Sequence, residues 1–192
     1  MNEKVSDVKC KIVEAALELA AEQGWANTTL RDISEKSGFS LSEIYTYIEH
    51  KDDILALLGR IIDQRVLGDI SISEQDTISE RDRIFDIFMD RYDILNDYRA
   101  GVIAVLDSLL CDPKQVIISM PHICRSMNWM LEAAGVETSG VRGAIKVTGM
   151  TAIYLKVLRV WKTDDSKDMS KTMAALDKSL DRAEGIVYSF GL

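Results

Sequence analysis

The residue types able to do chemistry crowd between Thr28 and Lys51, TTLRDISEKSGFSLSEIYTYIEHK. Hydroxyls, tyrosines and bases flank a Ser37-Gly38 break. Such groups donate hydrogen bonds to phosphates and to base edges. The stretch predicts helix, tight turn, helix, with an aromatic and basic exit, which is the form of a DNA-reading helix-turn-helix. Glu43 stands against that chemistry. Its carboxylate can accept from a cytosine amine, or it can close a capping box with Ser40 three residues earlier.

Elsewhere the chain offers little for catalysis. It has no Gly-rich phosphate loop, no metal-ligand spacing and no nucleophile motif. His50 and His122 supply little acid–base capacity. Cys10, Cys111 and Cys124 are an odd set without CxxC spacing. They suit a reducing compartment, where free Cys behaves as a small buried hydrophobe. An enzyme is therefore not expected, and no cofactor is implied.

The elements that must position Thr28–Lys51 are helical. Only two prolines occur in 192 residues, and alternating Val/Ile/Thr runs are nearly absent. With 47% hydrophobic residues the chain can bury a core without disulfides or metal. Met1 to Lys11 does not read as a signal peptide, and no apolar run reaches the ~18 residues a membrane span needs. A cytoplasmic protein without a membrane span is expected. The net charge of −8 argues against nonspecific nucleic-acid binding by the whole molecule. Over residues 1–50, five bases against nine acids leave −4.

Apolar spacing predicts helices over about 6–23, with Val8, Ile12, Ala15, Ala16 and Leu19 inward, and then over two short segments. Thr28 or Thr29 caps the first of these, and Ser40 the second. Leu41, Ile44 and Ile48 face the core from the latter. A fourth helix spans about 51–67. Residues 68–79 break the pattern, and helices resume over about 80–96, 100–111, 114–134, 139–161 and 169–190. Pro121 is expected to break or kink the helix that contains it. The expected division is a helix-turn-helix domain at 1–51, a connecting helix at 52–67 and a larger helical domain at 68–192.

Thr28, Leu30, Arg31, Asp32, Ile33, Ser34, Gly38, Ser40, Tyr45, Lys51 and Leu55, with this order of helices, resemble the TetR family of one-component transcriptional regulators. The resemblance implies an all-α homodimer on a double-stranded DNA operator, with a three-helix unit joined by a long helix to a ligand and dimerisation domain. It places Arg31, Tyr45 and Lys51 at phosphates, and Ser40, Ser42, Thr46 and Tyr47 on the DNA face. The chain departs from the family at Ser42 and Glu43, where small or basic residues are usual, and at Tyr47 and Ile48. Two or three positive contacts per subunit predict a weak and strongly salt-sensitive binder.

Two Met- and aromatic-rich helical stripes follow. Met120, Ile123, Met127, Trp129, Met130 and Leu131 lie on one, and Met150, Ile153, Tyr154, Val157, Leu158 and Trp161 on the other. Such side chains line adaptable apolar pockets or form ordinary core. His122 and Arg125 are the polar candidates nearest them. An effector there is expected to be apolar: a lipid, an isoprenoid or an aromatic. Tyr154, Trp161, the Asp164-Asp165-Ser166 cap, Thr172 and the Leu176-Asp177 pair resemble the lipid-binding accessory family of ubiquinone biosynthesis, and Arg81–Leu95 resembles regulators of that subgroup. This second resemblance implies a TetR-like fold that need not read DNA. In TetR-like proteins the last two helices pair across a two-fold axis, which assigns Ala144, Met173, Leu176, Leu180 and Val187 to a dimer interface. Gly140, Gly143 and Gly149 would permit close approach there. The expected function is a DNA-binding regulator, a repressor responsive to an apolar small molecule. The alternative is a lipid- or isoprenoid-binding accessory protein without sequence-specific DNA binding.

Overall fold

The computed structural model describes residues 2–70, 78–110 and 112–190, the side chains of 2–6, 69, 113 and 186–190 excepted. Most of the expected break at 68–79, together with Cys111, lies outside the described residues. The described chain is mostly helical and contains no strand. Its helices are α1 (Asn2–Gln23), α2 (Leu30–Ser37), α3 (Leu41–Tyr45), α4 (Asp53–Asp69), α5 (Glu80–Asn96), α6 (Arg99–Leu110), α7 (Pro113–Ala133), α8 (Gly140–Thr163) and α9 (Ser170–Phe190), with a 3-10 turn at Trp25–Asn27.

Two compact units emerge, and they do not follow chain order. One comprises Met1–Ile62 with Ile94–His122, the other Asp63–Asp93 with Ile123–Leu192. In the first unit α1 packs most extensively against α6 and also holds α2 and the 3-10 turn. The α1 stripe is therefore wider than periodicity alone suggested: Val13, Leu17 and Ala20 are buried beside Ile12, Ala16 and Leu19. Trp25 fills the centre with Ile33, Ile44, Ile48 and Ile54.

In the second unit α8 and α9 pack as a pair. Tyr92 and Tyr154 stack at 5.6 Å, and the buried Tyr92 hydroxyl donates to the Tyr154 carbonyl at 3.0 Å. Phe88, Met127, Met130, Trp161 and Leu176 complete this core. The turn between α8 and α9 is organised by Asp164, which is buried. Its carboxylate accepts from the Thr172 N–H at 2.8 Å, the Thr172 hydroxyl at 2.7 Å, the Ser166 N–H at 3.1 Å and the Ser166 hydroxyl.

Burial pushes the Asp164 carboxyl up, but the bonds from Ser166 and Thr172 outweigh it and hold the group well below its ordinary 3.8. A depressed carboxyl contributes stability that is fully present above the ordinary value and is lost as pH falls through the lowered one. Asp164→Asn should therefore cost roughly 2 kcal/mol at neutral pH, the scale of hydrogen bonds to a charged acceptor. Melting temperatures of the two proteins should converge well below pH 3.8. A gap that is constant with pH would mean that the charge does not contribute.

Two expectations are corrected here. Pro121 does not break its helix: α7 is continuous across it. The N–H that Pro121 lacks would have bonded the carbonyl of Ile117, and both residues lie on an exposed side of the helix. Leu41 is not a core residue but 52% exposed, because α3 ends at Tyr45 and only Ile44 and Ile48 turn inward.

Candidate nucleic-acid interface and effector cleft

The α2–turn–α3 segment is built by two capping boxes. Thr29 caps α2: its hydroxyl accepts from the Asp32 N–H at 3.2 Å, while Asp32 accepts from the Thr29 N–H at 2.9 Å. Ser40 caps α3 in the same way. Its N–H donates to Glu43 at 2.8 Å, its hydroxyl donates to the same oxygen at 2.7 Å, and the Glu43 N–H donates back at 3.3 Å. Between the helices Gly38 sits at φ 75°, a left-handed conformation that a side chain would strain. Thr28 is a packing residue, its hydroxyl bonded to the Gly24 carbonyl at 3.1 Å.

This geometry brings Ser40, Ser42, Glu43, Tyr45 and Thr46 together as exposed residues on α3 and its exit, with Tyr47 half-buried beside them. Tyr45 is 69% exposed. Lys9 of α1 comes to 5.7 Å from the Tyr47 ring, a neighbour that sequence spacing gave no means of finding.

Four other cations of the unit are drawn elsewhere. Lys51 points inward: its ammonium donates to the carbonyls of Trp25 at 2.7 Å and Thr28 at 3.0 Å and lies 4.9 Å from the Trp25 ring. Arg31 pairs with Glu35 at 3.1 Å, and Lys11 with Asp7 at 2.8 Å. Lys36 bridges Glu22 at 2.6 Å and Glu18 at 3.2 Å.

Residues 12–58 match the family of bacterial regulatory proteins, tetR family. The chain carries a TetR-family DNA-binding domain. Its fold is that of TetR transcriptional regulators over nearly its whole length. A TetR transcriptional regulator from Nitrosomonas europaea is similar at 27% identity and TM-score 0.73, over 92% of this chain and 97% of that one. A second, from Rhodococcus sp. RHA1, shares the fold at 17% identity and TM-score 0.62, over 95% of this chain and 97% of that one. No curated relative matches this chain. Among the described residues no helix is long and apolar enough to cross a membrane.

In the TetR-family domain Glu43 carries a full charge at neutral pH. The Ser40 hydroxyl and N–H lower its carboxyl below the ordinary value. Glu43→Gln keeps a capping-box acceptor while removing one negative charge from α3. Two unit charges several ångströms from phosphate in water come to about 1 kcal/mol, so Glu43→Gln should bind DNA roughly five- to tenfold more tightly. Glu43→Ala, which also loses the cap, should gain less. Fluorescence anisotropy on a fixed duplex reads both, and unchanged affinity for Glu43→Gln would place the side chain away from DNA.

The second unit contains a cleft of about 570 Å³ between α5, α7, α8 and α9. Ile84, Leu131, Met150, Ile153 and Leu180 form its apolar wall. Of the two stripes expected to line a pocket, Leu131, Met150 and Ile153 border this cleft. Met127, Met130, Tyr154 and Trp161 are buried in the second unit's core, Ile123 is half-buried on α7, and Met120 belongs to the first unit. His122 and Arg125 are exposed.

Composition hid one polar cluster. Arg91, 4% exposed, pairs with Asp63, which also accepts from the Ser126 hydroxyl. The guanidinium lies 5.2 Å from the Tyr154 ring centroid. The signal was present: Arg91 interrupts the stripe Phe88, Tyr92, Leu95, and Asp63 lies beside Ile62 and one turn before Val66.

Of the expected dimer residues, Leu176 and Leu180 are buried within their own unit, Ala144 and Met173 are exposed, and the side chain of Val187 lies outside the described residues. Gly143 is closed off by its own chain, since a Cβ there would sit 1.9 Å from the Thr138 carbonyl. Val141, Ala144, Thr148 and Ala152 form an exposed, mostly apolar or small stripe along α8, next to Ile145 and Gly149, which border the cleft.

Proposed function

We propose that this chain is a cytoplasmic, DNA-binding one-component transcriptional regulator, a repressor that dimerises and responds to a small, largely apolar effector. The observation that carries the proposal is the doubly capped α2–α3 unit, which presents Ser42, Tyr45 and Thr46 outward within a TetR-family domain. Dimerisation is supported by the exposed α8 stripe and by Met173, apolar surface that a monomer would leave in water. Two such domains would address successive major grooves. Effector binding in the second unit would shift the dimer between two separations of its recognition helices, one of which fits DNA.

Tyr45, with Arg31 released from Glu35, would hold phosphates, and Ser40, Ser42, Thr46 and Tyr47 would line the DNA face. Lys51 would take part only after leaving the Trp25 and Thr28 carbonyls. So small a set of cations predicts two to three phosphate neutralisations per subunit, a salt slope of about −4 to −5 for the dimer. The test is a titration against DNA flanking the gene over a range of salt. A sequence-specific complex with that slope is expected. The absence of any specific complex at low salt, with and without lipid extract, would reject the regulator.

A second reading has one specific observation behind it. Arg31, Lys11, Lys36 and Lys51 are all engaged within the chain. That favours a lipid- or isoprenoid-binding accessory protein of the subgroup resembling the ubiquinone-biosynthesis family, in which the helix-turn-helix survives as a fold. Native mass spectrometry of freshly purified protein separates the two: a stoichiometric lipid without operator binding supports the accessory role.

A further inference from the structure

The geometry points to an anionic, single-chain amphiphile, a fatty carboxylate or its phosphate equivalent, as the occupant of the α5–α7–α8–α9 cleft. This rests on the effector reading above and narrows it. The wall is apolar, and about 570 Å³ lies within the range of small-molecule sites. The mouth is not neutral. Lys146, Lys156 and Arg182 border it, together with Glu80 and Glu184. Arg81 also borders it, but its guanidinium is taken by Asp177 at 2.5 Å and Asp181 at 2.6 Å.

The three other cations have no carboxylate partner among the described residues. Lys156 donates to the buried Ser179 hydroxyl at 3.0 Å, which holds its ammonium at the border between apolar wall and rim. Cations at the edge of a half-enclosed apolar trough match a molecule with a hydrocarbon tail and an anionic head. A purely apolar effector would leave them without a counterpart, and a small polar anion would leave the wall wet.

Gly149 supplies a clean block. A Cβ built there meets nothing within 4 Å, yet the residue borders the cleft, so Gly149→Met puts a side chain into the cavity without displacing backbone. The probes are dodecanoate below its micelle concentration and dodecanol, titrated into the full chain by calorimetry. Dodecanoate should bind one per subunit and at least tenfold more tightly than dodecanol. K146Q/K156Q/R182Q should abolish that preference, and Gly149→Met should abolish binding while the melting temperature holds or rises.

Equal affinity for dodecanol and dodecanoate would overturn the anionic headgroup and leave the apolar-effector reading standing. Binding of neither probe would overturn the occupant, and an effector reading that still holds would then show as release of DNA by lipid extract. If Gly149→Met leaves dodecanoate affinity unchanged but alters the dimer in size-exclusion chromatography, the cleft is a contact between copies and the proposal fails.

Discussion

Arg91→Ala is expected to destabilise the folded chain by about 3–5 kcal/mol, and Asp63→Ala by a similar or larger amount. Arg91 is 4% exposed and Asp63 15% exposed, so each charge has been taken largely out of water and depends on the other. Removing Arg91 leaves a carboxylate whose only partner among the described residues is the Ser126 hydroxyl. Removing Asp63 leaves a guanidinium whose remaining neighbour is the Tyr154 ring and whose Nε has no partner among the described residues. Desolvation without compensation is the larger effect, and it predicts strong coupling. The apolar pair D63L/R91M should recover most of the loss and can equal the wild type, because it buries no charge. Urea unfolding of the four proteins closes the cycle. Single variants within about 1 kcal/mol of wild type, or an additive double variant, would show that the pair contributes little.

The same cluster shows where sequence reading reaches its limit. Charge on an apolar stripe marks Arg91 and Asp63 as unusual, but no spacing rule says that residues 28 positions apart will meet. Local chemistry is more legible. Ser40-x-x-Glu43 and Thr29-x-x-Asp32 announce their caps because a capping box needs only residues three apart, and Gly38 announces its turn because only a few residues tolerate that backbone. The limits of α5, Glu80–Asn96, follow from periodicity alone.

Periodicity also says that a face is buried without saying against what. Leu176 and Leu180 belong to such a face and are already buried within their own unit. Lys51 illustrates the same ambiguity for charge. Its position beside α4 fits a phosphate contact, yet Trp25 and Thr28, more than twenty residues away, present carbonyls that hold it inward. The Met-rich stripes can serve as pocket or core, and Met127 and Met130 are core. The cleft forms beside them, where the small Gly149 leaves room.

The contact between α1 and α6 gives the other large expected effect. Gly101 lies buried on α6, and a Cβ there would stand 2.4 Å from the Leu17 carbonyl oxygen and 2.6 Å from the Leu17 Cβ. Neither atom is the end of a flexible side chain, so Gly101→Ala can be accommodated only by moving α6 away from α1. Val13, Leu17, Val102 and Val105 are buried in this unit and would lose part of their packing. Overpacking of this kind costs about 3 kcal/mol. Gly59→Ala is the control: its Cβ would meet nothing within 4 Å, and Ala in a helix interior is favoured over Gly by roughly 0.5–1 kcal/mol. Opposite signs for two helical Gly→Ala changes are thus expected. Hydrogen exchange should localise the damage of Gly101→Ala to α1 and α6, and from there to the α2 and Trp25 segments that pack on α1. The prediction fails if Gly101→Ala melts at or above the wild-type temperature, since the two helices would then have slack that their spacing denies.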